Sequence, residues 1–195
     1  MASKPEEAAR SNDLGEGVYY LPADYLGLLR RWAIIALDLP LVLLLGLCCW
    51  IVESQFQTVV ADTWFVLAWL VFSWLYLVLL KMLSIRTVGY RLLGAKVVDL
   101  NGRPPSLPRL TFRLLLTLLG IGNPLLDLAW MDLGRHRQTF RDKLAGTYVV
   151  REEAQPIGKG PIQHTHLFVM GYSFLYRQVQ IQALAPVTKF RPSDS

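Results

Sequence analysis

Two long apolar runs dominate the pattern of hydrophobic and polar positions along the chain. Residues 32–52 carry a single charge, Asp38, and residues 64–83 carry none before Lys81. At 1.5 Å per residue the first run reaches about 31 Å, which is enough to cross the hydrocarbon core of a bilayer. The pattern therefore predicts two transmembrane helices and an integral membrane protein.

A third apolar stretch, residues 107–133, is less regular. It contains four charged residues and a G-I-G-N-P break at residues 120–124. A full crossing would place the basic residues that follow it on the outer side, against the rule that positively charged loops stay cytoplasmic. We therefore favour a broken or re-entrant helical segment with both ends cytoplasmic, because irregular backbone is tolerated at this depth where protein shields it. A full third span is the alternative.

Basic residues lie on one side of the two predicted spans. Arg30 and Arg31 precede the first run, and six Lys or Arg residues occur between positions 81 and 109. The link at residues 53–63 contains acidic residues but no Lys or Arg. The positive-inside rule thus predicts a cytoplasmic N-terminus and an outward-facing link. We expect no cleavable signal peptide, because the first apolar run is too long for one.

Short β-branched segments interrupt the helical pattern after the second run. Residues 95–100 (A-K-V-V-D-L) lead into Asn101-Gly102, a dipeptide typical of tight hairpin turns. Residues 148–151 (Y-V-V-R) form a second candidate strand that can pair with the first. We predict an all-α helical membrane protein, with two transmembrane helices, a third broken segment and a small cytoplasmic β-hairpin cap.

Three residues are assigned to this cap on chemical grounds. Gly94, like Gly89, permits a close approach of the backbone. Asp142 can brace the cap by pairing with a nearby arginine. Arg91 lies in the same basic region. Together they suggest a structure that seals the inner ends of the helices.

The chain divides into three predicted parts. Residues 1–16 are polar and are expected to form a disordered N-terminal tail. Residues 17–151 form the transmembrane domain, and its first part, residues 17–31, suits a segment lying at the membrane surface. Residues 152–195 are expected to be a partly disordered C-terminal tail, in which a small interfacial helix is the alternative to disorder.

Composition excludes several classes of function. Hydrophobic residues make up 53% of the 195 positions, and the net charge is +5. Because the basic residues flank the apolar runs, we assign them to the lipid bilayer and its headgroups and predict no nucleic-acid partner. The only cysteines, Cys48 and Cys49, are adjacent in an apolar run, so neither a disulfide framework nor a metal site is expected. No catalytic motif is present, and we predict neither enzymatic activity nor a cofactor.

Ionisable residues within the apolar segments are the main chemical signal. A charge near the bilayer centre costs on the order of 2.5 to 3.5 kcal/mol even on lenient insertion scales. Asp38 follows Arg31 by two helical turns on one helix face, and Asp127 follows Arg113 in the third segment. Either arginine is a candidate charge partner for either aspartate. The group is interpreted as a proton or cation site, or as an ion-pair network that only fixes helix packing, and the sequence leaves both open.

The chain resembles the RDD family of membrane proteins. The resemblance covers about residues 20–151 and rests on R-W-A-I-I-A-L-D at 31–38, R-T-V-G-Y-R-L-L-G-A-K-V-V-D-L-N-G at 86–102, Arg113, and R-Q-T-F-R-D-K-L-A-G-T-Y-V-V at 137–150.

The family takes its name from one arginine and two aspartates. The resemblance assigns the arginine to Arg31 and the first aspartate to Asp38. We place the second at Asp127, with Asp142 as the alternative. One departure is the Gly89-Tyr90 pair, where the family commonly has Gly-Lys.

The resemblance implies a multi-pass protein of the bacterial inner membrane that transports unidentified ligands, with cation/proton antiport in some members. We therefore expect a transport-related protein in which Asp38 and Asp127 bind a proton or small cation, and a homo-oligomer because one copy has few helices. The alternative is a structural or accessory protein whose basic cytoplasmic face binds a partner or anionic lipid headgroups. Arg86 and Arg109 are the headgroup candidates.

Overall fold

A computed structural model of the chain describes residues 14–55, 59–83, 85–118, 137–169 and 171–180. Helix α1 (Leu28–Glu53) and helix α2 (Val59–Trp74) form an antiparallel pair. Helix α2 continues through a π-helical turn, Leu75–Leu79, and a last short piece, Leu80–Met82. These helices correspond to the two predicted spans.

The surface of this helix pair is suited to lipid. The segments Leu28–Glu53 and Asp62–Met82 are long and apolar enough to cross a membrane, and only 11% of the most apolar window of each is buried within the protein. Leucine, valine, tryptophan and phenylalanine side chains cover the exposed faces. Such a large apolar surface is unfavourable in water, and a core helix of a soluble protein would bury it. Both predicted spans are therefore helices that are long and apolar enough to cross a membrane.

The third apolar stretch begins as helix α4 (Leu107–Leu118), which follows the short helix α3 (Val88–Leu92) and strand β2 (Ala95–Asp99). Helix α4 packs against α2, where Trp74 Nε1 donates a hydrogen bond to Thr111 Oγ1 at 3.1 Å. Residues 119–136 lie outside the described residues. The predicted break at 120–124 falls within this range, and the prediction about a third crossing therefore also concerns residues outside the described ones.

The prediction of an all-α fold is wrong, because the described chain contains five strands. They are β1 (Glu16–Tyr19), β2, β3 (Thr147–Arg151), β4 (Gly158–Val169) and β5 (Tyr172–Val179). Strands β1, β4 and β5 form one antiparallel sheet in the order β1-β4-β5, and β2 and β3 form another. We use the name cap for these strands together with α3 and helix α5 (Phe140–Ala145).

The two segments predicted to pair do form the smaller sheet, but the predicted tight turn does not connect them. Val97 lies opposite Val149 in the antiparallel register, so the two predicted segments do pair. The turn after β2 is present, with Gly102 at φ +78°, yet the partner strand starts 45 residues after this turn. The predicted hairpin is therefore wrong at this turn. The turn residues contact Asp99, whose carboxylate accepts hydrogen bonds from the N–H groups of Asn101 and Arg103 at 2.9 Å.

Both terminal segments of the described chain belong to the cap. Between residues 158 and 179 a long β-hairpin occurs where we expected disorder or an interfacial helix. Residues 17–31 pack into the fold, because Val18 pairs with Lys159 and the side chains of Tyr20 and Tyr25 are buried. Their position at the membrane surface stays a prediction. Strand β1 begins at Glu16, inside the predicted N-terminal tail. Residues 1–13 and 181–195 lie outside the described residues.

One apolar cluster joins these parts. It contains aromatic and aliphatic side chains from β1, the segment after it, β2, β3, β4 and β5. Tyr148 of β3 is at its centre, fully buried, and contacts the Tyr25 ring edge-to-face at 5.5 Å between centroids. Because this core extends across residues 151 and 152, the predicted boundary between domain and tail does not divide the described fold.

Candidate functional site

A buried carboxylate, Asp142 of α5, is the centre of a charge cluster where the cap meets the helices. Arg31, at the start of α1, forms an ion pair with Asp142 Oδ2 through Nη1, and Arg113 Nη2 of α4 lies 2.7 Å from Asp142 Oδ1. Asp142 is fully buried, and the two arginines are 4% and 7% exposed. Two guanidinium groups therefore neutralise one carboxylate in a water-poor environment.

Further hydrogen bonds hold each arginine in place. Arg31 Nε donates to the Leu26 carbonyl at 3.1 Å, and its Nη2 donates to the Arg137 carbonyl at 2.9 Å. Arg113 Nη1 donates to Thr147 Oγ1 at 3.2 Å. Arg31 thus connects the first turn of α1 to the segment just before α1 and to the segment just before α5.

The cluster keeps Asp142 ionised. Burial alone would raise the pKa of this carboxyl, but attraction by Arg113, Arg31 and Arg141 outweighs the burial and holds its pKa well below the usual range. Asp142 is therefore a permanent anion near neutral pH. This makes it unsuitable for taking up and releasing protons.

Asp142 also helps to cap its own helix, α5, in which it is the third residue. Thr139 Oγ1 accepts a hydrogen bond from the Asp142 N–H at 3.3 Å, and Asp142 Oδ2 accepts one from the Thr139 N–H at 3.4 Å. This reciprocal pair is a capping box, which satisfies N–H groups that the first turn leaves without partners. The capping box of α5 and the ion-pair cluster therefore share the side chain of Asp142.

Removal of the capping hydroxyl is expected to have a moderate effect. Thr139→Ala should lower the free energy of unfolding by about 1 kcal/mol, because the N-terminal N–H groups of α5 lose an acceptor. Thr139→Ser retains the hydroxyl and should unfold like the original protein. Thermal unfolding of both variants in detergent measures the difference, and equal melting temperatures for the alanine and serine variants would contradict the capping role.

Asp38 has a different set of partners from the one we expected. Among the described residues, its carboxylate accepts hydrogen bonds from Tyr76 Oη at 2.9 Å, Thr87 Oγ1 at 2.7 Å and the Gly89 N–H at 2.8 Å. None of these donors carries a charge. Both predicted charge partners, Arg31 and Arg113, contact Asp142 instead.

These bonds attach α3 to the interior of the helix pair. Asp38 accepts from the first turn of α3, and the Val88 N–H donates to Tyr76 Oη at 3.1 Å. Gly89 lies so close to α1 that a Cβ atom there would be 2.6 Å from the Ile34 carbonyl oxygen. The predicted close approach at Gly89 is therefore present, and a side chain at this position would separate α3 from Asp38.

A cavity of about 420 Å³ lies beside these two clusters, between α1, α2, α4 and the cap. Eleven of its described lining residues are apolar. The charged ones are four cations and one carboxylate: Arg31, Lys81, Arg113, Arg141 and Asp38. The Lys81 ammonium group lies 5.0 Å from the centre of the Tyr90 ring, which also lines the cavity. We call this space the inter-helix cavity.

The remaining candidates from the sequence, Arg86, Arg109 and Arg91, lie apart from these clusters. Arg86 Nη2 lies 2.5 Å from Glu152 Oε1, and Arg109 Nη1 lies 3.4 Å from Asp99 Oδ2. Both headgroup candidates thus have acidic neighbours within the protein. Arg91 is exposed at the end of α3.

The last two candidates are Gly94, which differs from the expectation, and Asp127. Gly94 makes no close approach, because a Cβ atom at this position would meet no other atom within 4 Å. Its positive φ of +56° is instead the reason that glycine suits this turn. Asp127 lies outside the described residues. Asp142, the alternative for the second aspartate, is the carboxylate that Arg31 contacts.

Sequence reasoning missed Tyr76, Thr87, Lys81 and Arg141 as parts of these sites. A tyrosine within the apolar run of α2 was a usable signal, because a buried hydroxyl needs a hydrogen-bond partner. The π-helical turn, which contains Tyr76, was not visible in the sequence. Such turns often occur at functional sites.

Comparison with known proteins adds the family. Neither the curated proteins nor the solved structures gave a match to this chain. The model of the RDD family matches residues 25–146, which is more than half of the chain. The match includes Arg31, Asp38, Arg113 and Asp142, and it ends just before β3. With its two apolar helices, the chain is a membrane protein that belongs to the RDD family.

Proposed function

We propose that this protein binds an organic anion within the membrane, in the inter-helix cavity, and does so without catalysis. The observation that supports this is the charge of the cavity. Its described lining carries four cations against one carboxylate, Asp38, which already accepts three hydrogen bonds. When Asp142, which Arg31 and Arg113 contact, is counted as well, the four described cations still exceed the two described carboxylates. In a region of low dielectric constant, an excess of positive charge attracts an anion strongly.

The same charges oppose a small cation. A sodium ion or proton at Asp38 would have to enter a cavity lined by Arg31, Lys81, Arg113 and Arg141. It would also compete with the Tyr76, Thr87 and Gly89 donors for the carboxylate oxygens. Cation/proton transport through Asp38 stays a prediction from the family resemblance, and anion binding is better supported by the geometry.

The location and assembly that we propose follow from the sequence. The start of α1 contacts the cap through Arg31, and the continuation of α2 contacts it through Val78 and Lys81. Basic residues are concentrated there. By the positive-inside rule we propose that the cap faces the cytoplasm, in a bacterial inner membrane. Homo-oligomer formation also stays a prediction, and chemical crosslinking in membranes would test it.

The sign of the ligand's charge can be tested with three small probes of similar size. The purified protein, in an uncharged detergent, is heated with benzenesulfonate, benzyl alcohol or benzyltrimethylammonium at equal ionic strength. Only the anion is expected to raise the melting temperature, because a ligand that binds the folded state stabilises it by about 1.4 kcal/mol at ten times its dissociation constant.

Two variants control for non-specific charge effects. Lys81→Met removes a cavity cation with little change of length and should lower the response to benzenesulfonate. Arg30→Gln removes an exposed cation one residue from Arg31 and should leave it unchanged. Stabilisation by the cationic probe alone would overturn the proposal. So would proton movement driven by sodium or potassium gradients in liposomes that contain the protein, if the anion has no effect.

A further inference from the structure

The inter-helix cavity has a charged end and an apolar end. On α1 its lining begins with Arg31 and ends with Leu43, twelve residues later, which corresponds to about 18 Å along a helix. On α2, which runs in the opposite direction, Lys81 and Trp69 are separated by the same number of residues. Because the helices are antiparallel, Arg31 and Lys81 mark one end, and Leu43 and Trp69 mark the other.

Helix α4 and the cap supply the rest of the charged end. Arg113 of α4 and Arg141 of α5 line the cavity there, and Arg141 Nη1 donates a hydrogen bond to Thr117 Oγ1 at 3.0 Å. The remaining length is lined by aliphatic side chains of all three helices, among them Val42, Leu77 and Leu114. A cationic end at the cap and an apolar end at Leu43 and Trp69 form a matched pair of environments, and Asp38, whose oxygens accept hydrogen bonds from the protein, lies between them.

We infer that the ligand of this cavity is an amphiphile, with an anionic head held near Lys81 and Arg141 and one acyl chain lying along the apolar walls towards Trp69. This inference rests on the proposed anion binding and names the class of anion. A volume of about 420 Å³ lies near the lower end of the usual range for ligand pockets, roughly 300 to 1,000 Å³, and leaves room for a single chain.

The charges explain why the head is an anion and where it lies. Arg31 and Arg113 contact Asp142, and Arg141 also attracts that carboxylate, so among the described residues one buried anion faces these three arginines and Lys81 at the same end. A carboxylate or phosphate there gains charge-assisted hydrogen bonds from these groups. A zwitterionic head brings its own cation to this end, so its net attraction to the site is weaker than that of an anionic head.

The apolar walls of the cavity explain why the ligand carries an acyl chain in addition to its anionic head. Eleven of the described lining residues are apolar, and water beside them would lack hydrogen-bond partners. An acyl chain fills this space and brings no polar group that needs a partner. The same anionic chain can come from a free fatty carboxylate or from an anionic membrane lipid, and the experiment separates these two sources.

Trp69 provides the reporter for the test. Its indole lines the cavity, and its Nε1 donates a hydrogen bond to the Val42 carbonyl at 3.1 Å. Bromine atoms on an acyl chain quench indole fluorescence at contact. The full chain is placed in nanodiscs of unlabelled phosphatidylcholine, and brominated stearate, brominated phosphatidylglycerol or brominated phosphatidylcholine is added at increasing mole fraction. Subtraction of a Trp69→Phe variant isolates the signal of this residue.

An anionic brominated amphiphile is expected to quench Trp69 at a mole fraction at least about tenfold lower than brominated phosphatidylcholine does, which corresponds to about 1.4 kcal/mol of preference. If brominated stearate quenches at the lower mole fraction, the ligand is a free fatty carboxylate. If brominated phosphatidylglycerol does, the ligand is an anionic membrane lipid. Lys81→Met should remove most of the preference, and Arg30→Gln should retain it.

Equal quenching by anionic and zwitterionic chains would overturn the inference. If benzenesulfonate still stabilises the protein in that case, anion binding stands and only the acyl chain is wrong. If neither experiment shows a preference for anions, the proposed function fails as well. Preserved quenching in Lys81→Met, with its fold verified by thermal unfolding, would also count against a head at this position.

Discussion

Asp142→Asn is expected to lower the free energy of unfolding by about 3 to 5 kcal/mol, the typical cost of breaking a buried ion pair by removing one partner. Asparagine has nearly the same shape but no charge, so Arg31 and Arg113 would remain buried without the anion that they share. Because a whole domain is stable by only about 5 to 15 kcal/mol, much of the protein should fail to accumulate in folded form.

The measurement is the amount of folded protein in membranes, followed by thermal unfolding of whatever can be purified. Glu152→Gln serves as the matched control, because it also removes one carboxylate from a pair with an arginine but does so at the exposed surface. That variant should be produced at the normal level, since surface ion pairs contribute little. If Asp142→Asn melts at the temperature of the control, the cluster is not the structural centre described above.

Asp38→Asn is expected to lower the free energy of unfolding by about 2 to 3 kcal/mol, the second largest effect after Asp142→Asn. The carboxylate accepts from Tyr76, Thr87 and the Gly89 N–H, and hydrogen bonds to charged groups contribute about 1.5 to 3 kcal/mol each. An asparagine offers one oxygen, and its amide group would face at least one donor. The first turn of α3 should then detach from the helix pair.

Tyr76→Phe provides the comparison for this variant. It removes one donor to Asp38 and the acceptor of the Val88 N–H, so it should destabilise the protein less than Asp38→Asn while acting on the same contact. Thermal unfolding ranks the three proteins. If Asp38→Asn is as stable as the original protein, Asp38 does not anchor α3.

This ranking affects how any transport assay of Asp38 is interpreted. A carrier that uses Asp38 for ions should lose activity but keep its abundance when the residue becomes asparagine. The hydrogen bonds to α3 predict lower abundance even in a protein that carries no ion through Asp38. Activity must therefore be expressed per folded molecule before it is assigned to ion coupling.

Much of the membrane part could be predicted because its signal is local. Residues 32–52 and 64–83 are apolar over a length that only a membrane-spanning helix requires, and no distant contact is needed to recognise them. The pairing of 95–100 with 148–151 was also suggested by β-branched composition. Prediction failed for residues 158–179, whose strands carry Gly, Pro and His and were interpreted as a tail.

The sequence by itself determined that this protein enters a membrane, that its basic residues are concentrated on one side of the two apolar runs, and that Arg31 and Asp38 share a helix face. Periodicity identifies the face of a helix but not the element that packs against it. Only the tertiary structure decided that Arg31 pairs with Asp142, 111 residues away, while Asp38 is bound to neutral donors of α2 and α3. The physical reason is burial: each charged group took the partner that the folded chain brought within hydrogen-bond distance, and sequence spacing does not reveal that partner.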